Sequence, residues 1–243
     1  MFDFAIVSEF GQRSYLEDAY SLEIAPDCSE FFCGIYDGHG GKLAAEYAKD
    51  NLHKIFFAQL KKGKTEDMAF KTAYEKVSAD LKNQSSGTTA VTFYLKRKKK
   101  IFYANAGDAR LVIIKDTKTV QLTSDHRLTN HKERERIRKF GGTIIPPYVY
   151  KGEYGLMPTR SLGDEYFKDV GIIATPETGC YSLTGEETWI IAGTDGLFDV
   201  IKNEETAILI KHSHSAQEAA QILKDEVLIN RLGDDNLTFV LIK

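Results

Sequence analysis

The stretch "GIYDGHGGKLA", residues 34–44, places four glycines around Asp37 and His39. It follows the apolar run Phe31-Phe32-Cys33 and precedes a run with helical periodicity. Glycine costs conformational entropy and packs nothing, so a junction this rich in it usually lets the backbone approach another group closely. The pattern predicts a strand over 31–36, a helix over 41–60, and a turn that brings Asp37 and His39 to a bound group.

The rest of the chain shows strands and helices in blocks. Strands are predicted from β-branched and aromatic runs at 2–7, 19–24, 31–36, 88–95, 100–106, 110–115, 119–122, 187–195 and 236–242. Helices are predicted at 41–60, at 65–82, at 131–140 after the capping-box-like Asn130-x-x-Glu133, and after caps at Asn203 and Ser215. The central strands are too close together for helix crossovers, so they should be antiparallel. We therefore predict an α+β fold, with two stacked antiparallel sheets flanked by helices on both sides.

Composition limits the function classes. The chain has 243 residues, 42% hydrophobic residues and a formal net charge of −3, which suits one domain and argues against nucleic-acid and membrane partners. The run Lys96–Lys100 is interpreted as a solvated hairpin end. Three cysteines without CxxC spacing argue against a disulfide framework and a zinc site. With no signal peptide or transmembrane segment recognisable, we expect a cytoplasmic or nuclear protein.

Carboxylates recur at strand ends. Asp37 follows one apolar strand, Asp195 follows "WIIAGT", and Asp235 immediately precedes "NLTFVLI". Glu17-Asp18 and Asp125 also lie at strand ends. Any one of these is usually an ordinary turn residue. Several converging carboxylates would require cations, and an all-oxygen set favours Mg²⁺ or Mn²⁺, two of which can activate a water and polarise a phosphoryl group.

Taken together, the motifs resemble those of the metal-dependent serine/threonine protein phosphatases, the PPM or type 2C family. The resemblance rests on "GQRSYLEDAY" (11–20), "YDGHGG" (36–41), "SGTTA" (86–90), "ANAGDAR" (104–110), "SDH" with Glu133 and Arg136-Ile137, "TRSLGD" (159–164), "GTDGLFDV" (193–200) and "GDDNLT" (233–238). It implies a single catalytic domain over 1–243, with a β-sandwich between pairs of antiparallel helices. It also implies hydrolysis of phosphoserine and phosphothreonine in proteins at a dinuclear Mn²⁺ or Mg²⁺ centre, where metal-activated water attacks phosphorus. We expect a monomer.

The resemblance also implies roles for individual residues. Asp37 would bridge both metals, with the Gly38 carbonyl on one of them, and Asp195 and Asp235 would complete the ligands of the other. Glu17 and Asp18 match positions that act on metal-bound water, and Asp125 matches a ligand of a third, weaker ion. The remaining matches are Arg13 as the phosphate-binding arginine, His39 as the proton donor to the leaving group, and Asp108, Asp164 and Asp199 as supporting groups.

The segment at about 142–171 corresponds to a variable flap of this family. Pro158 cannot donate to a sheet ladder, so the chain there should be irregular or at an edge. Tyr148, Tyr150 and Tyr154 could form part of a phosphopeptide surface or pack within the loop. Two other functions stay open: a catalytically inactive scaffold of the same fold, and a hydrolase of small phosphoesters.

Overall fold

The computed structural model describes residues 2–243 and contains two five-stranded antiparallel sheets. The first has the spatial order β1 (Phe4–Glu9), β16 (Leu237–Ile242), β15 (Trp189–Gly193), β8 (Arg110–Lys115) and β9 (Lys118–Gln121). The second has the order β14 (Glu177–Ser182), β7 (Lys100–Ala106), β6 (Ala90–Lys96), β3 (Glu30–Tyr36) and β2 (Ala19–Ile24). Every pairing within these sheets is antiparallel, as predicted.

The sheets stack face to face with a helical layer on each outer side. The inner faces meet in one apolar cluster, in which Phe93 of β6 lies with Leu111 of β8 and Val240 of β16. The outer face of the second sheet packs against α1 (Leu43–Lys61) and α2 (Glu66–Asp80). The outer face of the first sheet packs against α5 (Asn203–Ile210) and α6 (Ala216–Asp225). The predicted α+β sandwich is confirmed.

Shorter elements complete the chain at one end of the sandwich. One small sheet pairs β4 (Gly38–His39), β5 (Gly87–Thr88) and β13 (Leu162–Gly163). A second, which we call the flap sheet, consists of β10 (Thr143–Ile145), β11 (Tyr148–Lys151) and β12 (Tyr154–Leu156). The remaining elements are α3 (His131–Lys139), α4 (Asp195–Phe198), a 3₁₀ helix (Glu165–Val170) and a π-helical turn (Glu226–Asn230). The sequence predicted none of the six short strands, since two- and three-residue pairings show no alternation. Between the flap sheet and β13 the chain is irregular around Pro158, as expected.

The helix caps differ in how well they were predicted. The side chain of Asn130 accepts a hydrogen bond from the Lys132 amide, and that of Ser215 accepts one from the Glu218 amide, as expected. The predicted cap at Asn203 was wrong by one residue. Lys202 is the cap, and Asn203 instead donates its side-chain amide to Gln121 of β9. Across residues 2–243, no helix combines the length and apolar character needed to cross a membrane.

Candidate metal and phosphate site

A polar cleft of about 240 Å³ opens at the end of the sandwich that carries the short strands. The predicted site residues that line it are Arg13, Glu17, Asp37, Gly38, His39, Asp195 and Asp235. Another cavity, of about 350 Å³, lies at the opposite end beside the β6–β7 turn and contains no such carboxylate cluster among its lining residues. The sandwich therefore brings residues from widely separated parts of the sequence into one polar cleft.

Three strand ends place the aspartates. Asp37 follows β3 in one sheet, where its carbonyl accepts the Thr89 amide at 2.9 Å. Asp195 begins α4 two residues after the end of β15, and Asp235 lies two residues before β16. Because β15 and β16 are antiparallel, the end of the first and the start of the second share one edge of the other sheet. Strand ends from both sheets thus contribute a carboxylate to the cleft.

The segment that carries Arg13 and Glu17 is held by Asn236. The Asn236 side-chain amide donates to the carbonyls of Phe10 and Tyr15 at 2.9 and 3.0 Å, and its oxygen accepts the Glu17 amide at 2.9 Å. The Glu17 carboxylate in turn accepts the Gly41 amide at 2.5 Å. A Cβ on Gly38 would overlap the Glu17 carbonyl oxygen, so only glycine permits this approach.

His39 is paired with a buried aspartate. Its Nε2 lies 2.7 Å from Asp164 Oδ2, and Asp164 is almost fully buried. Burial alone would lower the pKa of His39, but the charge and hydrogen bond of Asp164 outweigh it and raise that pKa. Gly87 makes room for this pair, because a Cβ there would overlap the Asp164 carboxylate. His39 is therefore held in a conformation that favours the imidazolium.

Arg13 lies on the acidic side of the cleft. Its Nη2 donates to Asp235 Oδ2 at 3.1 Å and its Nε to the Asp234 carbonyl at 3.3 Å. The Arg13 side chain remains 47% exposed, so the guanidinium is accessible from solvent.

Two of the predicted site residues do not line the cleft. Asp18 lies beneath it, 9% exposed, with Thr194 donating to its carboxylate at 3.4 Å. Asp125 is held by Arg110, whose Nε and Nη2 donate to both of its carboxylate oxygens at 2.6–3.0 Å. Asp125 is not among the residues that line the cleft, and its role as a ligand of a third ion stays a prediction.

Sequence reasoning missed two features of the cleft. Asp108, interpreted as a supporting group, lines the cleft itself. Arg127 is not among the predicted site residues. Its guanidinium nevertheless contacts three carboxylates, those of Asp108 at 2.6 Å, Asp195 at 3.0 Å and Asp199 at 2.9 Å. The only sequence signal for Arg127 was its place after "SDH" at a strand end, which does not reveal partners 72 residues away.

The flap contributes one wall. Tyr148 lines the cleft, together with Gly155, Leu156, Met157 and Pro158. Tyr148 and Tyr150 contact each other edge to face, and Tyr154 contacts Tyr166 of the 3₁₀ helix in the same way. Tyr148 thus lines the cleft, whereas Tyr154 packs against Tyr166 within the 142–171 segment, and a phosphopeptide surface at these tyrosines stays a prediction.

Comparison with known proteins identifies the family. The family model described as "Protein phosphatase 2C" matches residues 8–235. The chain belongs to the protein phosphatase 2C family. Among curated relatives, it is 31% identical to "Probable protein phosphatase 2C 14" of Arabidopsis thaliana over 93% of this chain and 52% of that protein. It is 30% identical to "Probable protein phosphatase 2C 52" of Oryza sativa subsp. japonica over 96% of this chain and 48% of that protein. The chain thus spans about half the length of these two relatives.

Solved structures give the same fold for this protein phosphatase 2C domain. The "serine-threonine phosphatase 2C from Toxoplasma gondii" superposes with a TM-score of 0.88, covering 99% of this chain and 94% of that one, at 21% identity. At that identity the likeness concerns the fold alone. The resemblance drawn from the motifs is confirmed at the level of family and fold.

The donor chemistry of the cleft fits the hard divalent cation on which the protein phosphatase 2C family depends. Burial, then repulsion from neighbouring carboxylates, raises the pKa of Asp195 to about 7 and that of Asp37 well above its usual range. Within residues 2–243, no three His, Cys, Asp or Glu side chains form a ready-made metal site. Asp195 and Asp235 are turned toward Arg127 and Arg13 instead. The all-oxygen set with excess negative charge nevertheless suits Mg²⁺ or Mn²⁺.

Proposed function

We propose that this chain is a metal-dependent protein phosphatase that hydrolyses phosphoserine and phosphothreonine in protein substrates. The observation that carries the proposal is the meeting of Asp37, Asp195 and Asp235 in one cleft, beside an arginine and a paired histidine. Buried carboxylates of like charge destabilise one another unless a cation lies between them. The cleft therefore suits a reaction that uses divalent cations.

Two Mn²⁺ or Mg²⁺ ions are the proposed cofactors. Asp37, the Gly38 carbonyl, Asp195 and Asp235 would hold them, and Glu17 and Asp18 would support the site. When bound, the ions would polarise the phosphoryl group and lower the pKa of a water molecule. For a third ion, Asp108 is better positioned than Asp125, because Asp108 lines the cleft with Asp195.

Arg13 would bind the substrate phosphate. Its guanidinium is a planar fork that can hold two phosphate oxygens at once, which a lysine cannot do. Its present partner, Asp235, is a proposed metal ligand. Arg13 would exchange this ion pair for the phosphate when Asp235 serves the metal site.

His39 would protonate the departing serine or threonine oxygen. An alkyl leaving group is strongly basic, so a positioned acid typically contributes about 10²–10⁴-fold in rate. Asp164 holds Nε2 and favours the protonated ring, so that the second ring nitrogen, Nδ1, would carry the proton that is transferred. An aryl leaving group needs little protonation and should depend far less on His39.

We also propose a domain extent, an oligomeric state and a location for the protein. We infer one catalytic domain over residues 1–243, a monomer, and a reducing compartment such as the cytoplasm or nucleus, where the free cysteines Cys28, Cys33 and Cys180 would persist. Light scattering would test the monomer, and fluorescence microscopy of a tagged chain would test the location.

The experiment compares a phosphothreonine peptide with an aryl phosphate, each with Mn²⁺ or with EDTA. We expect turnover of both with Mn²⁺, none with EDTA, and near loss of both in Asp195→Ala. The matched control is Asp50→Ala, an exposed aspartate on α1. Aryl phosphate turnover without peptide turnover would favour the small phosphoester hydrolase. A folded protein inactive on both substrates would favour the scaffold.

Two further variants separate the roles of the chain's own residues. His39→Ala should slow the peptide much more than the aryl phosphate, and equal losses would remove His39 as the acid. Arg13→Ala should raise KM for the peptide more than it lowers kcat, and Arg13→Lys should restore it only partly. An unchanged KM would mean that Arg13 does not bind the phosphate.

A further inference from the structure

A third cavity, of about 330 Å³, neighbours the cleft. Adjacent residues line the two cavities at two places. His39 lines the cleft while its partner Asp164 lines the third cavity, and on β12 Gly155 lines the cleft while the preceding Tyr154 lines the third cavity. We call it the flap pocket. Only the His39–Asp164 pair and one strand of the flap separate it from the proposed reaction centre.

Aromatic rings form its walls. Tyr154, 69% exposed, and Tyr166, 49% exposed, lie edge to face with centroids 5.8 Å apart, and Phe167 continues the row at 5.4 Å from Tyr166. Ser85 and Gln84 lie on the other side. The Ser85 carbonyl oxygen lies 3.5 Å from where a Cβ on Gly40 would be, so this side adjoins the glycine turn that carries His39.

The charges at the flap pocket are already paired. Asp164 is bound by His39, and the Lys151 amine lies over the Tyr166 ring while donating to the Tyr166 carbonyl and to Asp169. Glu165 alone adds an exposed carboxylate at the rim. An anionic ligand group would lose water without gaining an unpaired partner, and a cationic group would meet only the solvated Glu165 at the rim, whereas an apolar group would gain contact with exposed rings. The pocket therefore favours an apolar occupant.

The geometry relates this pocket to the peptide chain of a substrate. His39 lines the cleft that would receive the phosphorylated residue, so a substrate backbone that runs along this wall also passes the flap pocket. An extended peptide advances about 3.3 Å per residue, and side chains two residues apart point the same way. A side chain two positions from the phosphorylated residue would therefore reach past His39 and Asp164.

Resting on the proposed phosphatase function, we propose that the flap pocket is a specificity pocket. It would receive a large apolar side chain, such as Leu or Phe, two positions from the phosphorylated serine or threonine. Tyr154 and Tyr166 are then specificity-determining residues of this chain, and the substrates would be phosphosites with an apolar residue at that spacing.

The test uses phosphothreonine peptides that differ only at the positions two before and two after the phosphothreonine, each with Leu, Phe or Ser. The enzyme variants are Tyr154→Ala, which removes one wall, and Gln84→Trp, which fills the pocket from an exposed position. Ile208→Ala, an exposed apolar residue on α5, is the matched control. An aryl phosphate reports the chemistry without a peptide, and thermal unfolding reports the fold.

In the wild type we expect Leu or Phe at one of the two positions to raise kcat/KM about 10-fold over Ser. Tyr154→Ala and Gln84→Trp should each reduce that preference below about 2-fold while leaving aryl phosphate turnover unchanged, and Ile208→Ala should keep it. No preference in a wild type that hydrolyses the peptides would overturn the pocket, as would a preference that survives both variants. A wild type inactive on peptide and aryl phosphate alike would reject the proposed function, and the pocket with it.

Discussion

Glu133 of α3 and the aspartates of the cleft are carboxylates that differ in how far neighbouring cationic side chains compensate their negative charge. Glu133 is 2% exposed and is met by two guanidinium groups, with Arg160 Nη2 and Arg136 Nη2 each 2.7 Å from its oxygens. Thr159 donates a further hydrogen bond at 2.9 Å. Burial alone would raise the pKa of Glu133, but these contacts outweigh it and lower the pKa to about 2.

In the cleft the carboxylates outnumber the cationic side chains. Burial raises the pKa of Asp18 to about 7, because hydrogen bonds from Thr238 and Thr194 do not offset it and Asp235 adds repulsion. Arg127 is shared among three aspartates rather than given to one. The chain thus supplies two guanidinium groups for the single carboxylate of Glu133 and leaves the cleft carboxylates only partly compensated, as the proposed cation site requires.

Removing the carboxylate of Glu133 should give the largest change in stability. Glu133→Ala would leave the half-buried guanidinium groups of Arg136 and Arg160 without their carboxylate, which we expect to cost about 3 kcal/mol of unfolding free energy. Urea denaturation measures this cost. Glu135→Ala, an exposed glutamate on the same helix, is the control and should change stability by less than about 0.5 kcal/mol. Equal losses in the two variants would show that the Glu133 network is not special.

Acid should weaken the same network. The folded pKa of Glu133 is about 2 against an ordinary value of 4.5, so its contribution is present above pH 4.5 and is lost as the pH falls toward 2. The full contribution is about 3 kcal/mol, since one pKa unit corresponds to about 1.4 kcal/mol. Denaturation of the wild type and Glu133→Gln across this range should give curves that converge in acid. Parallel curves would contradict the assignment.

Neutralising a carboxylate of the cleft should increase the unfolding free energy of the metal-free protein, whereas removing Glu133 should decrease it. In EDTA, Asp37→Asn removes one of several mutually repelling charges, so we expect it to stabilise the metal-free protein by about 1 kcal/mol. With Mn²⁺ the same variant should lose most of the thermal stabilisation that the wild type gains. A variant less stable than the wild type in EDTA would mean that the cleft carboxylates are already compensated.

Asp125 should give the smallest effect on turnover. Its carboxylate is bound by Arg110, so Asp125→Ala should change kcat by less than about 2-fold at saturating Mn²⁺. The loss of the ion pair should cost about 1 kcal/mol in stability. A large fall in kcat with unchanged stability would support the prediction that Asp125 is a ligand of a third ion.

The layers of the fold could be predicted because they depend on local periodicity. Helix α1 and strand β3 carry regular apolar patterns, and the glycines after Asp37 mark the boundary between them. The end of a predicted strand also indicated where Asp37, Asp195 and Asp235 should lie. Antiparallel stacking then brings such ends together without further information.

Long-range pairing of side chains could not be predicted in this way. His39 and Asp164 are 125 residues apart, and nothing in "TRSLGD" alone indicates that its aspartate binds an imidazole. Arg110 and Arg127 each lie two residues after a motif aspartate. Arg110 nevertheless binds Asp125 outside the cleft, whereas Arg127 binds Asp195. Spacing places such residues on a strand end but does not say which partner the side chain reaches.

The most direct test of the central claim is calorimetric titration of Mn²⁺ into metal-stripped protein, followed by phosphothreonine peptide hydrolysis on the same samples. We predict that the wild type binds Mn²⁺ and gains activity as the ions bind, whereas Asp195→Ala loses both and Glu135→Ala loses neither. Full peptide hydrolysis in metal-stripped wild type, without bound Mn²⁺, would contradict the account.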